Sequence, residues 1–293
     1  MDSENDVPTW RVLPFQVNDG ITNMAIDEAI LLARSDNLVP NTIRFYRWDP
    51  STASIGRNQS LSREIDVEAA KKNNVDIVRR ISGGGAVYHD HEAEITYAVI
   101  ASESDIRTIF KNILDELYCE EEGDTEETKD QKKNSKKSFF TVDSSYHVIT
   151  KGLVSGLQNM GVEVDQGVIH CPALFINKRK ISGNAQARRK DIILQHGTVL
   201  LHVDAEFMYT ILKAPEGVTK GKMVASVKAK VTGLFDTIEP ISDYDFQIDM
   251  IKGFEQALHI NCEMGELSEK ELKLIQEIKK KRYSDDSWLN RLP

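Results

Sequence analysis

Apolar side chains recur with a helical period over residues 22–34, where Met24, Ala25, Ala29, Leu31 and Leu32 suit one buried face behind an Asn18-Asp19-Gly20 turn. The same reading predicts helices over 65–73, 144–160, 243–258 and 268–281, with Gly161 stopping the one that begins at 144. Alternating or β-branched runs predict strands over 10–17, 42–48, 76–80, 93–100, 173–176, 178–183 and 192–203, the pair around Asn177-Lys178 joined by a tight turn. No period of 20–50 residues repeats, which sets solenoids and propellers aside.

Composition narrows this to one large α/β domain or a domain with a small appendage, since 40% of the 293 residues are apolar and 28% are charged. Thirty-seven basic residues against 46 acidic ones leave a net charge of −9, which argues against nucleic acid as the main ligand. An acidic partner would have to meet a local basic patch. The first twenty residues hold no cationic start followed by an apolar run, so no secretory signal is expected. No stretch approaches the ~18–20 apolar residues of a membrane span. Cys119, Cys171 and Cys262 are too scattered for a disulfide framework or a paired-cysteine metal site. The expectation is a cytoplasmic protein with reduced thiols and no membrane partner. Residues 120–137 carry twelve charges in eighteen positions and no large apolar side chain, so they are expected to form a surface loop, with a docking arm as the alternative.

Three segments carry the candidate chemistry. In the first, Arg79-Arg80-Ile81-Ser82-Gly83-Gly84-Gly85-Ala86-Val87-Tyr88-His89-Asp90, three glycines follow an expected strand. Glycine lets a backbone approach a ligand closely and turn its amides inward, and the neighbouring arginines offer planar donors to phosphate or carboxylate. A flexible hairpin turn with surface arginines is the plainer reading. The spacing matches neither the dinucleotide GxGxxG nor the GxxxxGK[ST] phosphate loop. In the second, Lys178-Arg179-Lys180-Ile181-Ser182-Gly183-Asn184-Ala185, a strand lysine can polarise an acyl carbonyl and balance the charge that develops on it. A solvated basic turn is the alternative there. The third, Leu194-Gln195-His196-Gly197-Thr198, places a glycine inside an apolar strand, as at a pocket wall, while His196 is open to reading as a core histidine.

Together with Asn23-Met24-Ala25-Ile26-Asp27-Glu28-Ala29 and Ser54-Ile55-Gly56-Arg57-Asn58-Gln59, these segments resemble the lipoate–protein ligase A family of the biotin/lipoate ligase and octanoyltransferase superfamily. The resemblance runs in order from about Trp10 to Pro293, interrupted mainly by the charged insert. It implies a single catalytic domain over 1–293, of α/β (α+β) class, with a central mixed β-sheet flanked by helices and a tunnel for a medium-chain acyl group. It implies that lipoate (or octanoate) and ATP give an acyl-adenylate, with Mg²⁺ held largely by phosphates and waters and no metal ligated by the protein alone. The acyl group then passes to a lysine of a lipoyl domain, on glycine cleavage H protein or a 2-oxoacid dehydrogenase E2. By motif position, Arg80, Gly85, Ala86, Val87, Tyr88 and Lys180 would line the nucleotide, with Lys180 catalytic. Gly83, Gly84, His89, Gly183, His196 and Gly197 would form the acyl pocket.

Two departures bear on the activity. Many such ligases carry a Gly-x-Asn-Asp motif some residues before the lysine, where this chain reads His170-Cys171-Pro172-Ala173-Leu174. Long ligases also add a C-terminal domain that closes over the adenylate, which a separate accessory subunit would supply here. The alternative is an octanoyltransferase, which moves octanoyl from acyl carrier protein to a lipoyl-domain lysine through a cysteine thioester and without ATP. Cys171 then becomes the catalytic thiol, although it sits nearer Lys180 than in relatives of that kind. Lysine- and arginine-rich stretches at 178–190 and 220–230 are candidates for docking the carrier, and 216–234 for a mobile cover over the site.

Overall fold

A computed structural model describes residues 7–119, 140–167 and 172–292. The charged insert and Cys171 therefore lie outside the described residues, as does the side chain of Cys119.

The chain opens with two short strands, β1 (Thr9–Val12) and β2 (Gln16–Asn18), where the sequence suggested one. Pro14 stands in the break and has no amide to donate to a ladder. Asp19 caps helix α1 (Gly20–Ser35) by accepting from the Thr22 amide. Strand β3 (Thr42–Trp48) follows, then β4 (Thr52–Ile55), a buried strand too short to have shown a period. The helix expected over 65–73 is α3 (Val67–Lys72), capped by Asp66, and an unforeseen single turn, α2 (Leu61–Glu64), precedes it. Strands β5 (Asp76–Arg79), β6 (Val87–His89) and β7 (Glu94–Ser102) bracket the glycine loop.

Helix α4 (Glu103–Cys119) was not foreseen; its Ile106, Ile109 and Ile113 pack into the core. Helix α5 (Val142–Asn159) starts from a reciprocal Thr141–Ser144 cap. Strands β8 (Asp165–Gln166), β9 (Leu174–Ile176), β10 (Arg179–Arg189) and β11 (Ile192–Leu200) form a meander. The β9–β10 turn is Asn177-Lys178, both at positive φ, which matches the right-handed twist of a hairpin. Helices α6 (Ala205–Ile211), α7 (Lys220–Lys230) and α8 (Asp243–Leu258), strand β12 (Asn261–Met264), and helices α9 (Glu269–Ile278) and α10 (Asp286–Leu289) complete the order, with a π-helical turn at Lys279–Tyr283. The stretch expected as a mobile cover is thus largely α7.

A nine-stranded mixed sheet runs β12-β1-β3-β7-β11-β10-β9-β8, with β2 paired to β3. Its β12–β1–β3 end is parallel and the β3–β7–β11–β10–β9 run is antiparallel. One face buries Phe45, Tyr97 and Val99 against Leu153, Phe246 and Phe254 of α5 and α8. The other carries Tyr46, Trp48 and Ala98 against Met24, Ala29 and Ile30 of α1 and Ile275 of α9. A second sheet, β5-β4-β6, packs with α3 and α6 around a separate apolar cluster. Among the described residues no helix is long and apolar enough to cross a membrane.

Candidate functional site

Alternation along β3, β7 and β11 puts Tyr46, Trp48, Glu94, Thr96, His196, Thr198 and Leu200 on the face of the large sheet that looks toward the small one. Strands β4 and β6 contribute Ser54, Val87, Tyr88 and His89, and α6 and α7 contribute Met208 and Val227. Between these groups lies a cavity of about 360 Å³. Of the sequence candidates, Arg80, Gly84, Gly85, Ala86, Val87, Tyr88, His89, Lys180, Gly183, His196 and Gly197 all line it. Gly83 does not; its carbonyl instead accepts from Arg80 Nη2 at 3.0 Å.

Lys180 reaches the cavity through an irregularity in β10. Pairing with β9 slips between Lys180 and Ser182, where the ladder passes from Phe175 to Leu174. Strict alternation back from Gly183 would have aimed Ile181 into the cavity and Lys180 into the core. The bulge reverses this: Ile181 joins the core cluster and Lys180 faces the cavity. The ammonium settles over Gly183, where a side-chain carbon would stand only 2.9 Å from Nζ. Lys180 makes no ion pair with any described carboxylate.

Arg80 is spent differently. Its Nη1 donates to the Ser54 carbonyl (2.9 Å) and Oγ (2.7 Å), its Nη2 to the Gly83 and Gly85 carbonyls (3.0 and 2.9 Å), and its Nε to Ser82 Oγ (3.4 Å). All five N–H groups of the guanidinium therefore have acceptors inside the protein. Burial lowers its pKa to about 10. The side chain works as a strut that holds the glycine loop in shape. Gly84 sits at φ +94 within that loop, a conformation that only glycine takes without strain.

Two histidines are fixed by similar relays. His196 Nε2 meets Ser82 Oγ at 2.6 Å and its Nδ1 meets Asp27 at 2.9 Å. Asp27 is also held by Arg44 Nη1 (2.9 Å) and the Tyr46 hydroxyl (3.1 Å), and burial beside it drives the Tyr46 phenol up. His89 stacks on Trp48 with ring centroids 4.1 Å apart, its Nε2 2.7 Å from Ser54 Oγ and its Nδ1 2.7 Å from Glu94 Oε1. The Asp27, Ser54 and Glu94 partners were not identified from sequence. They come from one helix and two strands, and only the fold brings them to the imidazoles.

Charge at the lining is not that of a polyphosphate site. Two cationic side chains, Arg80 and Lys180, face three carboxylates, Asp90, Glu94 and Asp204, and the Arg80 charge is already engaged. A chain of phosphates needs surplus, available cation. Among the described residues no cluster of three or more His, Cys, Asp or Glu is arranged to hold a metal.

Of the thiols, Cys262 lies on β12 at the far edge of the large sheet, and burial followed by the nearby Glu255 charge pushes its pKa up to about 12. It is inert at neutral pH. The residue after Cys171 is described: the Pro172 carbonyl accepts from Asn184 Nδ2, whose Oδ1 in turn accepts from the Tyr97 hydroxyl at 2.6 Å.

Comparison with known proteins gives a consistent set of likenesses. The lipoyl protein ligase A/B catalytic domain model matches residues 19–118 and 132–255. An octanoyltransferase LipM of Brevibacillus brevis is 31% identical over 95% of this chain and 98% of its own length. The bipartite lipoate protein ligase of Thermoplasma acidophilum, solved in a study with its E2 lipoyl domain, superposes with a TM-score of 0.75 at 26% identity, covering 98% of each chain. A lipoate-protein ligase A bound with ATP gives a TM-score of 0.73 at 25% identity over 97% of this chain and all of the other.

Proposed function

This chain belongs to the lipoyl protein ligase A/B catalytic-domain family, and from that premise we propose that it is an octanoyltransferase, carrying an octanoyl group from an acyl-carrier thioester to a lysine of a lipoyl domain. The observation that carries the reading is the charge balance of the cavity, in which Lys180 is the one lining cation without an internal acceptor among the described residues. The full-length likeness to octanoyltransferase LipM supports the same choice.

In this scheme the Cys171 thiolate attacks the carbonyl of the carrier thioester, and the carrier thiol leaves. The resulting enzyme thioester is then attacked by the target lysine, forming the amide and returning the Cys171 thiol. The Lys180 ammonium donates to the carbonyl oxygen in both tetrahedral states, where negative charge develops in a site shielded from water. Met24, Trp48, Val87, Leu200, Met208 and Leu212 offer the octanoyl chain an apolar wall. Helix α7 borders the cavity through Val227 and presents Lys220, Lys222 and Lys230, a basic surface suited to acidic carriers such as the lipoyl domains of glycine cleavage H protein or 2-oxoacid dehydrogenase E2.

ATP-dependent ligation is the second reading, supported by the fold shared with the ligase bound with ATP. On that reading Lys180 would meet the α-phosphate, Mg²⁺ would come with the nucleotide, and a separate subunit would close the site. One assay separates the two. The protein and its Cys171→Ser variant are incubated with apo lipoyl domain and either octanoyl-carrier thioester or lipoate with ATP. The transferase reading expects octanoylated protein by mass spectrometry, absent in Cys171→Ser. Pyrophosphate release from ATP that survives in Cys171→Ser would overturn it.

A further inference from the structure

The backbone at Lys180 is where the large sheet is least able to hold a side chain in place. Pairing of β10 with β11 begins only at Ser182, opposite Val199, and pairing with β9 slips between Lys180 and Ser182. Lys180 thus has no partner on β11, and a residue at a bulge lacks the regular ladder that would fix its direction. The missing partner comes from a helix. Val231 bridges Lys180 in parallel, and the Thr232 amide donates to the Lys180 carbonyl at 3.0 Å. The stretch that leaves α7 stands beside the lysine as a substitute strand.

This stretch is supported from both ends. Beyond Thr232, Asp236 accepts from Thr232 Oγ1 at 2.8 Å and from the Gly233 amide at 3.0 Å, and the Phe235 amide donates to the Leu201 carbonyl at 3.1 Å. On the α7 side the support is Arg179, whose Nη2 donates to the carbonyls of Val231 (2.6 Å) and Lys228 (3.2 Å). A helix leaves its last carbonyls without internal donors, and a cation there also suits its dipole. Little else fastens α7: of its 11 residues only Val224 is buried, and the Lys228–Glu206 ion pair is exposed.

We propose that Arg179 is a positioning residue for the acyl transfer. It pins the end of α7 against β10, keeps Val231 and Thr232 in place as the partner of Lys180, and so holds the ammonium over Gly183. Arg179 does not line the cavity, so its effect reaches the reaction through its neighbour. Its part rests on the role given to Lys180 above, but not on which acyl donor is used. Without the guanidinium the end of α7 is free to draw away, and the Lys180 carbonyl loses its donor. The strand then relaxes toward regular alternation, which aims position 180 at the core and takes the ammonium from the carbonyl oxygen it serves. A misplacement of about 1 Å costs on the order of 10²-fold in rate.

A double-mutant cycle between the two neighbours tests this. Arg179→Met keeps an unbranched stem and removes the donors; it is made in wild type and in Lys180→Ala. Transfer to apo lipoyl domain is followed from octanoyl-carrier thioester and, in parallel, from lipoate with ATP, with the slow variants read by intact-protein mass spectrometry over hours. In wild type the replacement is expected to lower kcat about 10–100-fold, with KM for the acyl donor within about twofold and the protein still folded by thermal melting. In Lys180→Ala it is expected to cost less than about twofold, because the side chain it positions is gone. Arg179→Lys, whose ammonium keeps a donor for the Val231 carbonyl, is expected to recover most of the loss. Hydrogen exchange gives a readout apart from turnover: the Thr232 amide is expected to exchange faster in Arg179→Met. A full further loss in the Lys180→Ala background, a raised KM with kcat unchanged, or unchanged exchange at Thr232 would overturn the assignment. If Arg179→Met does not fold, Arg179→Gln, which retains one donating group, is read in the same way. Wild type active only with lipoate and ATP would refute the transferase reading and leave the Arg179 cycle to be read in that arm.

Discussion

Replacing Gly183 with alanine places a methyl carbon 2.9 Å from the Lys180 ammonium and 3.1 Å from its Cε. Ordinary contact begins at 3.4–4 Å, so something must give, and the near atoms are the far end of a flexible side chain rather than backbone. Lys180 therefore moves by about 0.5–1 Å while the strand stays in place. Gly183 is not among the glycines at positive φ, and alanine fits its strand backbone. Stability is expected to change by less than about 1 kcal/mol, a shift in Tm of under about 4 °C. Catalysis is far less tolerant, because a displacement of that size costs roughly 10–100-fold, or about 1.4–2.7 kcal/mol of transition-state stabilisation. The assay is octanoyl transfer to a lipoyl domain under saturating donor, with a thermal melt on the same preparation. Turnover within twofold of wild type would refute the placement of Lys180 over the reacting carbonyl. A large fall in Tm would refute the argument that the lysine, and not the sheet, absorbs the clash.

Lys180→Ala is expected to abolish transfer and leave the melt nearly unchanged, since the ammonium makes no described ion pair; residual turnover measured at the wild-type rate would remove it from the mechanism. Asp27→Ala strips a carboxylate that is 1% exposed from Arg44, which is itself fully buried, and leaves that charge uncompensated. The loss should be about 3–5 kcal/mol in a urea titration. Glu271 is sealed in the interior; burial alone would raise its pKa, but the paired bonds from Arg11 at 2.9 and 2.6 Å, with those from Ser268, bring the net shift below the ordinary 4.5. A depressed folded pKa means its stabilisation is complete above the unfolded value and fades as pH falls through the folded one. The stability gap between wild type and Glu271→Gln should thus be widest near neutrality and shrink progressively below about pH 4.5, whereas a gap independent of pH would exclude this pair as its source.

Local pattern was enough wherever an element is specified by its own residues. Helix α1 begins at the Asp19 cap and buries the apolar face read from its period, and α8 spans the expected 243–258. The Asn177-Lys178 turn and the glycine loop also lie where their chemistry puts them. What escaped were elements whose stability is borrowed. Strand β4 has four residues and no visible alternation because both of its faces are covered, and α4 carries only the sparse stripe Ile106, Ile109 and Ile113 among polar neighbours, held by the core it packs against.

The sequence grouped Arg80, Lys180, His89 and His196 into one site through the resemblance that their segments, taken in order, bear to the lipoate–protein ligase A family, each segment alone leaving a plainer reading open. Only the tertiary structure decided what each does there. A one-residue slip in β10 turns Lys180 from the core toward the cavity, and the carbonyls of the glycine loop claim the Arg80 guanidinium. Glu94 and His89 meet at 2.7 Å although they sit on strands of different sheets. Side-chain direction and hydrogen-bond supply depend on partners distant in sequence, and a linear pattern carries the identity of a group but not the groups it will face.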